Sequence, residues 1–545
     1  MARTPLMRML RNLASEHLAL IQQETLGDTV HPPLPMPRRN FLKLGALAAT
    51  AAMIPNPKPL FAADKRKPKI VIVGAGIAGL NAALTLQDAG IASTLYESDD
   101  HIGGRIQSIT SAWQNGQVSE WCGEFIDSGH TTIIDLAQRF GLVLDDLLAA
   151  EPKNSSETYF FNEKYYSKNQ ADKDFQVILN ILIDQNNSAS YPTQYNSYTS
   201  AGEYLDSISI YDWIEKYVPG GHHSPLGKLL DVAYDIEFGA STKLQSSLNL
   251  VYLLPGPSNA LALFGYSDEQ YHIRGGNHQL IQAIANSLPA NSINISHKLI
   301  AIAKRENGQI LLTFSVTDAN GNVFRKLITA DSVILTLPFS TLRNIDYAKA
   351  EFDSLKITAI QELGYGTNAK IMLQFDERLW LHKGPWGHSN GSSYSDTGYQ
   401  TAWDITRAQP GETGILVNFL GSKGAAIIPD QGDEAFSSTS PAVRKYEAQF
   451  LNQIEPVFPG LSDGYNGIAA LHSPKDDPNL LGSYSYWKVG QYTLFSGYEG
   501  VRQGNIHFAG EHCSTDFQGY MEGGASEGAR AAVEVLADIQ TRVFS

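Results

Sequence analysis

The stretch from Lys69 to Glu97, KIVIVGAGIAGLNAALTLQDAGIASTLYE, constrains the fold more than any other part of the chain. It opens with a continuous β-branched run at 70–73, long enough for a strand buried on both faces and too short for a helix. The run leads into three glycines with the spacing G-x-G-x-x-G, which are Gly74, Gly76 and Gly79. In this spacing the first glycine permits a tight turn, the second lets a pyrophosphate approach, and the third lets a helix pack closely. The stretch therefore predicts a strand, a glycine turn, a helix and a second strand that bind a dinucleotide.

Two further features of this stretch support a bound dinucleotide. The helix begins around Ala78, where its free amide groups face the anionic phosphates. Glu97 follows the second strand, 18 residues past Gly79, where an acidic side chain accepts hydrogen bonds from a ribose diol. The alternative is a glycine-rich turn without a ligand. The position between a strand and a helix, followed by Glu97, favours the binding site.

The length and the charge of the chain limit the classes of function. A chain of 545 residues predicts two or three domains. The net charge is −15, and the first 63 residues hold seven basic against three acidic residues, so the remainder carries −19. Such a body repels nucleic acid and anionic membranes. The two cysteines, Cys122 and Cys513, give neither a disulfide framework nor the spacing of a metal site.

The first 63 residues resemble a leader rather than part of a domain. Arg38 and Arg39 precede the short apolar run LGALAATAAMI, and three prolines follow it. This arrangement resembles a twin-arginine export signal and predicts a periplasmic or secreted protein that uses the export machinery. Because LFAAD is a poor A-x-A cleavage site, retention of the leader as a membrane tether is the alternative.

A second glycine motif follows Glu97 and identifies a family. Gly103 and Gly104 bring the backbone close to a ligand, and Arg105 supplies a cation for a phosphate, although a surface salt bridge is the alternative. Together with the fingerprint and Glu97, this G-G-R motif resembles the flavin amine oxidase superfamily of monoamine, polyamine and L-amino acid oxidases. The segment EWCGEFID at 120–127 is similar to the family segment that passes the flavin ring. The resemblance implies FAD as cofactor.

The C-terminal stretch NIHFAGEHCSTDFQGYMEGG extends the resemblance. Its apolar start predicts a short buried strand, Gly510 and Glu511 a tight turn, and the residues from Met521 a helix. The resemblance implies that Glu511 holds the ribityl chain. It also implies that the positive end of the helix faces flavin N1 and the C2 carbonyl. Leu299 would present its backbone to the adenine. Ser483 stands where mammalian monoamine oxidases carry the flavin-bonded cysteine, which implies noncovalent FAD.

The resemblance implies an α/β fold in two interleaved parts. One part is a Rossmann-like FAD-binding domain and the other an α+β substrate-binding domain. The predicted segments are a leader at 1–63, FAD-binding segments at 66–128, 272–346 and 480–540, and substrate-binding segments at 129–271 and 347–479.

Three residues are predicted to face the reacting groups. From spacing alone, Lys370 in GTNAKIMLQF is an edge or surface lysine. The resemblance instead implies that Lys370 reaches a water beside flavin N5 and assists reoxidation of the flavin. Tyr484 and Tyr520 match the two walls of the family's aromatic cage, which suits a substrate amine. Without the family, both tyrosines would be interpreted as core residues with a satisfied hydroxyl.

The predicted activity is oxidative deamination of a primary amine or an L-amino acid. Hydride passes from the α carbon to flavin N5, the imine hydrolyses, and oxygen is reduced to hydrogen peroxide. The segment CGEFID lacks the carboxylate-binding arginine of snake-type L-amino acid oxidases, which favours amines, but Arg274 or Arg407 could serve instead. A dehydrogenase that passes electrons to a quinone would share every motif. A homodimer is a further expectation.

Two other classes are disfavoured. A non-catalytic escort protein similar to the GDP-dissociation inhibitors does not need the residues that face the flavin, which are retained here. A disulfide reductase needs a C-x-x-C pair and usually a second glycine fingerprint, and the sequence has neither.

Overall fold

The computed structural model describes residues 67–429 and 435–541. Its centre is a five-stranded parallel sheet that gathers strands from distant parts of the chain. In spatial order the strands are Ile506–Phe508, Ser332–Leu335, Ile70–Val73, Ser93–Tyr96 and Ile293–Asn294. The first predicted strand is confirmed, and all four of its residues are buried because sheet neighbours and helices cover both faces. The leader predicted for 1–63 lies outside the described residues and stays a prediction.

Two helices pack tightly over this sheet. The helix of the glycine fingerprint spans Ile77–Asp88, and the C-terminal helix spans Met521–Gln540. A Cβ atom built on Gly528 would overlap the backbone of Ala78, so the two helices approach closely only because this position is glycine. Asn81 Nδ2 also donates to the carbonyl oxygen of Ala525 at 2.8 Å. The C-terminal helix is thus fixed against the predicted dinucleotide-binding helix.

Gly528→Ala tests this contact, because helix propensity and close packing predict opposite changes in the free energy of unfolding. Helix propensity alone predicts a gain of roughly 0.5–1 kcal/mol from the added methyl group. We expect the reverse, a loss of about 1–3 kcal/mol, because the methyl group would meet rigid backbone. Thermal unfolding measures the change. Gly129→Ala is the control, since a Cβ at that position meets nothing within 4 Å. A higher melting temperature for Gly528→Ala would contradict the close packing.

The remaining strands form two larger sheets and three small ribbons. The four-stranded sheet has the order Val323–Ala330, Ile310–Thr317, His297–Lys304 and Asp346–Lys349. The seven-stranded sheet has the order Tyr465–His472, Asn368–Phe375, Gly414–Gly421, Thr401–Asp404, Ser389–Ser395, Ser156–Phe161 and Lys164–Tyr166. The ribbons pair Gly364–Tyr365 with Ser485–Tyr486, Ser108–Ile109 with Ser119–Glu120, and Leu144–Asp146 with Tyr271–Ile273.

Twelve further α-helices occur among the described residues. Those before residue 300 are Thr131–Arg139, Lys168–Ala189, Ser200–Asp206, Ile210–Tyr217, Pro225–Phe238, Ser247–Leu253 and His278–Ser287. Those after it are Phe339–Leu342, Ser354–Glu362, Ser422–Ala426, Pro441–Ile454 and Gln491–Leu494. Within 67–429 and 435–541, none of the helices combines the length and the apolar character needed to cross a bilayer.

The apolar stretch SINISHKLIAIAKRE divides between two sheets. Ile293–Asn294 joins the parallel sheet, whereas His297–Lys304 joins the four-stranded sheet. Between them Ser296 has a φ of +56°, a left-handed conformation that turns the chain from one sheet into the other. The predicted mixed α/β fold is confirmed, while the division into interleaved domain segments stays a prediction.

Candidate active site

A cavity of about 570 Å³ is lined by loops that follow the parallel strands and by residues of the seven-stranded sheet. At one part of it lie the glycine fingerprint and the loops that follow the parallel strands, where ligands of such sheets bind. At another part lie Lys370 and Phe419, which are register partners on two strands of the seven-stranded sheet. The cavity therefore joins the predicted cofactor site to the predicted substrate site.

The glycine-lined part of the cavity has room for phosphate because side chains are absent. Gly74 has a φ of +105°, and a Cβ there would collide with Thr336. Gly103 has a φ of +115°, and its N–H donates to the carbonyl oxygen of Ala75 at 3.0 Å. This bond holds the G-G-R turn against the fingerprint turn, where Gly76 and Gly103 form a parallel bridge. The paired turns offer backbone and no bulk, which fits a pyrophosphate.

The other predicted cofactor residues fall into two groups. Gly104, Ala78 and Glu97 line the cavity, whereas Gly79 and Leu299 lie outside its lining. A Cβ at Gly79 would overlap the carbonyl oxygen of Gly74, so this glycine serves the packing of helix on strand. Leu299 is buried beyond the turn at residue 296, in the four-stranded sheet. Its proposed contact with adenine stays a prediction.

Glu97 is bound to the glycine turn itself. Its Oε2 accepts the N–H of Ala75 at 2.6 Å, and its Oε1 accepts the Ser98 hydroxyl at 3.0 Å and the Asp99 N–H at 2.9 Å. The side chain is buried at the edge of the cavity. These bonds fix the carboxylate where the fingerprint predicts the ribose. Contact with the ribose stays a prediction.

Arg105 and Glu511 form an ion pair in the cavity wall. Arg105 Nη1 lies 2.9 Å from Glu511 Oε1 and donates to the Ser483 carbonyl oxygen at 2.8 Å. Glu511 also accepts the Ser485 hydroxyl at 2.7 Å and the Gly519 N–H at 2.9 Å. Burial alone would raise the pKa of Glu511, but the charge of Arg105 and the hydrogen bonds lower it, so Glu511 is ionised. The predicted phosphate contact of Arg105 and ribityl contact of Glu511 would add to this pair.

The C-terminal helix begins at the cavity, as the sequence predicts. Met521 is its first residue, and Met521 and Tyr520 both line the cavity. The chain leaves the strand Ile506–Phe508 through Gly510, whose φ is +131° and whose Cβ would meet the His512 ring at 2.7 Å, and the turn directly before the helix contains Gly519, whose φ is +89°. The free N–H groups of this helix start give the cavity wall a positive end, which suits an anionic group of a bound flavin.

Lys370 is buried, and its ammonium group has three acceptors. Its Nζ donates to Glu124 Oε2 at 2.7 Å, to the Cys122 carbonyl oxygen at 3.0 Å and to the Glu120 carbonyl oxygen at 3.3 Å. Only 6% of the Lys370 side chain and 5% of the Glu124 side chain are exposed. The surface position expected from spacing alone is wrong, because the strand Asn368–Phe375 is buried on both faces. An ammonium group has three donors, so a water contact would replace one of these bonds.

Glu124 is a site residue that the sequence analysis missed. Besides Lys370, its carboxylate accepts the Trp403 indole N–H at 2.9 Å, and Trp403 lines the cavity. A second missed contact joins the Cys122 sulfur to His472 Nε2 at 3.3 Å. Glu124 and Cys122 both lie in EWCGEFID, the segment predicted to pass the flavin. That placement was the available signal, because an acidic residue in a buried segment requires a cation or donors.

The two predicted cage tyrosines line one cavity and are both fixed by hydrogen bonds. The Tyr484 hydroxyl donates to the Glu237 carbonyl oxygen at 2.6 Å. The Tyr520 hydroxyl lies 3.1 Å from that of Ser267, and its ring meets the His130 ring edge-on at 5.1 Å. Burial, together with the nearby carboxylates, raises the pKa of Tyr484 well above its usual value, so it stays a neutral phenol. The placement is compatible with a cage.

The two candidate arginines for a substrate carboxylate lie in different places. The Arg274 side chain is 67% exposed and bound to Asp145 at 2.6 Å, and it does not line the cavity. Arg407 lines the cavity and is only 8% exposed. Its Nη1 lies 2.9 Å from Glu151 Oε1, and its guanidinium lies 5.3 Å from the centre of the Phe125 ring. Arg407 alone of the two is positioned for a ligand.

The substrate part of the cavity is acidic. Glu157, Glu237 and Glu269 line it, and burial plus the charges of all three raise the pKa of the Tyr394 hydroxyl well above its usual value. Burial, then the charge of Asp127, raises the pKa of Glu269 to about 8. All three charges thus act on Tyr394, and the charge of Glu237 also raises the pKa of Glu269, so a bound cation would favour the ionised carboxylates.

The parallel sheet, the glycine-lined turns and the helix start at the cavity are those expected of a protein that binds a dinucleotide. The family model described as flavin containing amine oxidoreductase matches residues 77–536. The chain therefore belongs to the flavin-containing amine oxidoreductase family. Membership identifies an oxidoreductase with FAD as its cofactor, in agreement with the glycine-lined turns and the helix start at Met521.

Relatives that are named for different substrates resemble the chain over most of its length. A Bacillus subtilis (strain 168) protein named provisionally as the L-amino-acid oxidase YobN is 23% identical, covering 87% of this chain and 95% of its own. Polyamine oxidase 5 of Oryza sativa subsp. japonica is also 23% identical, and the match covers 87% of this chain and 89% of the oxidase. Among solved structures, cyclohexylamine oxidase from Brevibacterium oxydans IH-35A has a TM-score of 0.71 at 19% identity, covering 87% and 100%. A putrescine oxidase double mutant has a TM-score of 0.71 at 18% sequence identity, and the match covers 86% of this chain and 99% of the mutant chain. The solved structures show the shared fold.

Proposed function

We propose that the protein oxidises a primary amine to an imine, which hydrolyses to a carbonyl compound and ammonia, with oxygen reduced to hydrogen peroxide. The observation that supports this best is the charge of the cavity. Each of its lysine and arginine side chains, Arg105, Lys370 and Arg407, is paired with a carboxylate. The further carboxylates around Tyr394 supply negative charge where they are ionised, and a bound ammonium group favours their ionised form. An acidic cavity attracts an ammonium group and opposes a substrate carboxylate.

The residues of the cavity have distinct parts in this reaction. FAD, when bound, accepts the hydride of the substrate α carbon and passes electrons to oxygen. The glycine turns, Glu97 and Arg105 would hold it noncovalently, since the family resemblance places Ser483 where mammalian monoamine oxidases carry the flavin-bonded cysteine. Tyr484 and Tyr520 orient the amine, and their hydroxyls are already occupied by protein partners. Lys370 holds a positive charge in the cavity wall.

L-amino acids are the second candidate substrates. Arg407 is a buried arginine in the same cavity, and a relative carries an L-amino-acid oxidase name. A quinone in place of oxygen is the alternative acceptor. Both alternatives keep the same cofactor site.

A substrate screen with spectroscopy tests the proposal. We expect primary amines or diamines to reduce the flavin of the purified holoenzyme without oxygen, which bleaches its absorbance. In air the same substrates should yield hydrogen peroxide. The matched pairs are 2-phenylethylamine with L-phenylalanine and 1,5-diaminopentane with L-lysine, which differ only by the carboxylate. Faster bleaching by the amino acid of each pair would overturn the amine proposal. Bleaching without peroxide would identify a dehydrogenase. Failure of the purified protein to bind FAD would contradict the proposed enzymatic function.

A further inference from the structure

The contact between Arg407 and Glu151 bears on the choice of substrate. The inference drawn from it rests on the proposed function. Arg407 follows the strand Thr401–Asp404, and its Nε donates to the Asp404 carbonyl oxygen at 3.3 Å. Glu151 reaches it from a loop 256 residues earlier in the chain. Asn390 Nδ2 donates to the same Glu151 oxygen at 3.2 Å. Glu151, Arg407 and Asn390 all line the cavity.

The Arg407 side chain is held in a setting that suits an anion, and the Glu151 carboxylate already occupies it. It is 8% exposed, anchored through Nε, and packed over the Phe125 ring. Arginine in such a setting binds carboxylates through two parallel N–H bonds. Among the residues that the structure describes, Glu151 is the only carboxylate bonded to Arg407, and Nη2 donates to no protein acceptor. A substrate carboxylate would have to share the guanidinium with Glu151 and be repelled by it.

We propose that Glu151 is a specificity-determining residue that masks Arg407 and so excludes substrates with a carboxylate next to the amine. Glu151 acts through Arg407, and is a positioning residue rather than a catalytic one. With the negative charge of Glu151 removed, Arg407 becomes a buried cation that has lost its bonded carboxylate in a ligand-sized cavity, which favours an incoming anion. Glu269 opposes this little near neutral pH, because burial and the charge of Asp127 raise its pKa to about 8.

Glu151→Gln is the variant that tests the mask, because it keeps the size of the side chain and an oxygen acceptor. We expect the holoenzyme to bind benzoate, a carboxylate without an amine, about tenfold more tightly than the parent does, measured by calorimetry. We also expect KM for L-phenylalanine to fall by a similar factor, while kcat changes little and KM for 2-phenylethylamine does not fall, because the released Arg407 repels an ammonium group and that amine has no carboxylate to bind it. A merely structural role would instead lower turnover of both substrates together.

Three further variants complete the test. Glu157→Gln removes the same charge from the same cavity, but the partner of Glu157 is the Tyr159 hydroxyl and no arginine is released, so benzoate affinity should rise much less than in Glu151→Gln. Glu151→Asp keeps the charge and should keep the mask. Glu151→Gln combined with Arg407→Met should abolish the gain. Equal benzoate affinity in parent and Glu151→Gln would overturn the inference, as would an equal gain in Glu157→Gln. Amine oxidation by the parent tests the proposed function separately, so the two can fail independently.

Discussion

Replacing Glu511 with alanine is expected to strip most of the FAD from the protein during gel filtration. The change removes an acceptor that holds Arg105 at 2.9 Å, the Ser485 hydroxyl at 2.7 Å and the Gly519 N–H at 2.9 Å. Arg105 is then left without its counter-ion, and the Gly519 N–H before the C-terminal helix loses its acceptor. Removing one partner of a buried pair costs about 3–5 kcal/mol. Flavin affinity should fall about 100-fold or more, because the turns around the cofactor lose their shared anchor.

The ratio of absorbance at 450 nm to that at 280 nm measures the flavin that remains after gel filtration. Glu511→Gln should retain an intermediate amount, because it keeps an acceptor and loses the charge. Asp145→Ala is the matched control: it breaks an arginine pair with Arg274, whose side chain is 67% exposed outside the cavity. That variant should keep the flavin of the parent. Normal flavin content in Glu511→Ala would remove Glu511 from the cofactor site.

Local patterns made the cofactor end of the site predictable. The strand Ile70–Val73, the glycine turn and the helix after it depend on neighbouring residues, because φ and close packing are local requirements. The helix start at Met521 is equally local, since a turn with Gly519 directly precedes it. Such features can be inferred from one sequence because each is encoded within about thirty residues.

The ion pairs of the cavity could not be inferred in the same way. Arg105 and Glu511 are separated by 406 residues, Lys370 and Glu124 by 246, and Arg407 and Glu151 by 256. No periodicity or spacing within a segment records which charges meet after such separations. The partner of Lys370 was therefore missed, and its burial followed only from the family resemblance. Arg407 and Arg274 stayed equivalent until the structure placed one of them inside the cavity.

The division of SINISHKLIAIAKRE between two sheets has a similar cause. Its apolar pattern predicts strand throughout, and the pattern is correct for residues on either side of Ser296. The left-handed φ of Ser296 depends on its setting, in which its N–H donates to the Asp99 carbonyl oxygen at 2.7 Å. Serine carries no intrinsic preference for that conformation. A tertiary contact thus decides which sheet receives Leu299.

Lys370→Met is expected to separate two roles of one buried charge. The first is structural: Glu124 would keep its Trp403 contact but lose the ammonium group at 2.7 Å, which costs about 3–5 kcal/mol of stability. The second is functional: anaerobic reduction of the flavin by substrate should persist, whereas its reoxidation by oxygen should slow about 10–100-fold, because a positive charge that favours reduced oxygen species is lost.

A second variant separates the two roles of Lys370. Lys370→Met combined with Glu124→Gln removes the uncompensated carboxylate, so thermal stability should recover in large part. Reoxidation in stopped-flow experiments should stay slow, since the cation is still absent. Recovery of both quantities would mean that Lys370 serves only to neutralise Glu124. Equal reoxidation rates in Lys370→Met and the parent would remove Lys370 from the oxygen reaction. In this structure all three of its donors meet protein acceptors, so any effect on oxygen must come through its charge unless a water displaces the longest bond, that to the Glu120 carbonyl oxygen at 3.3 Å.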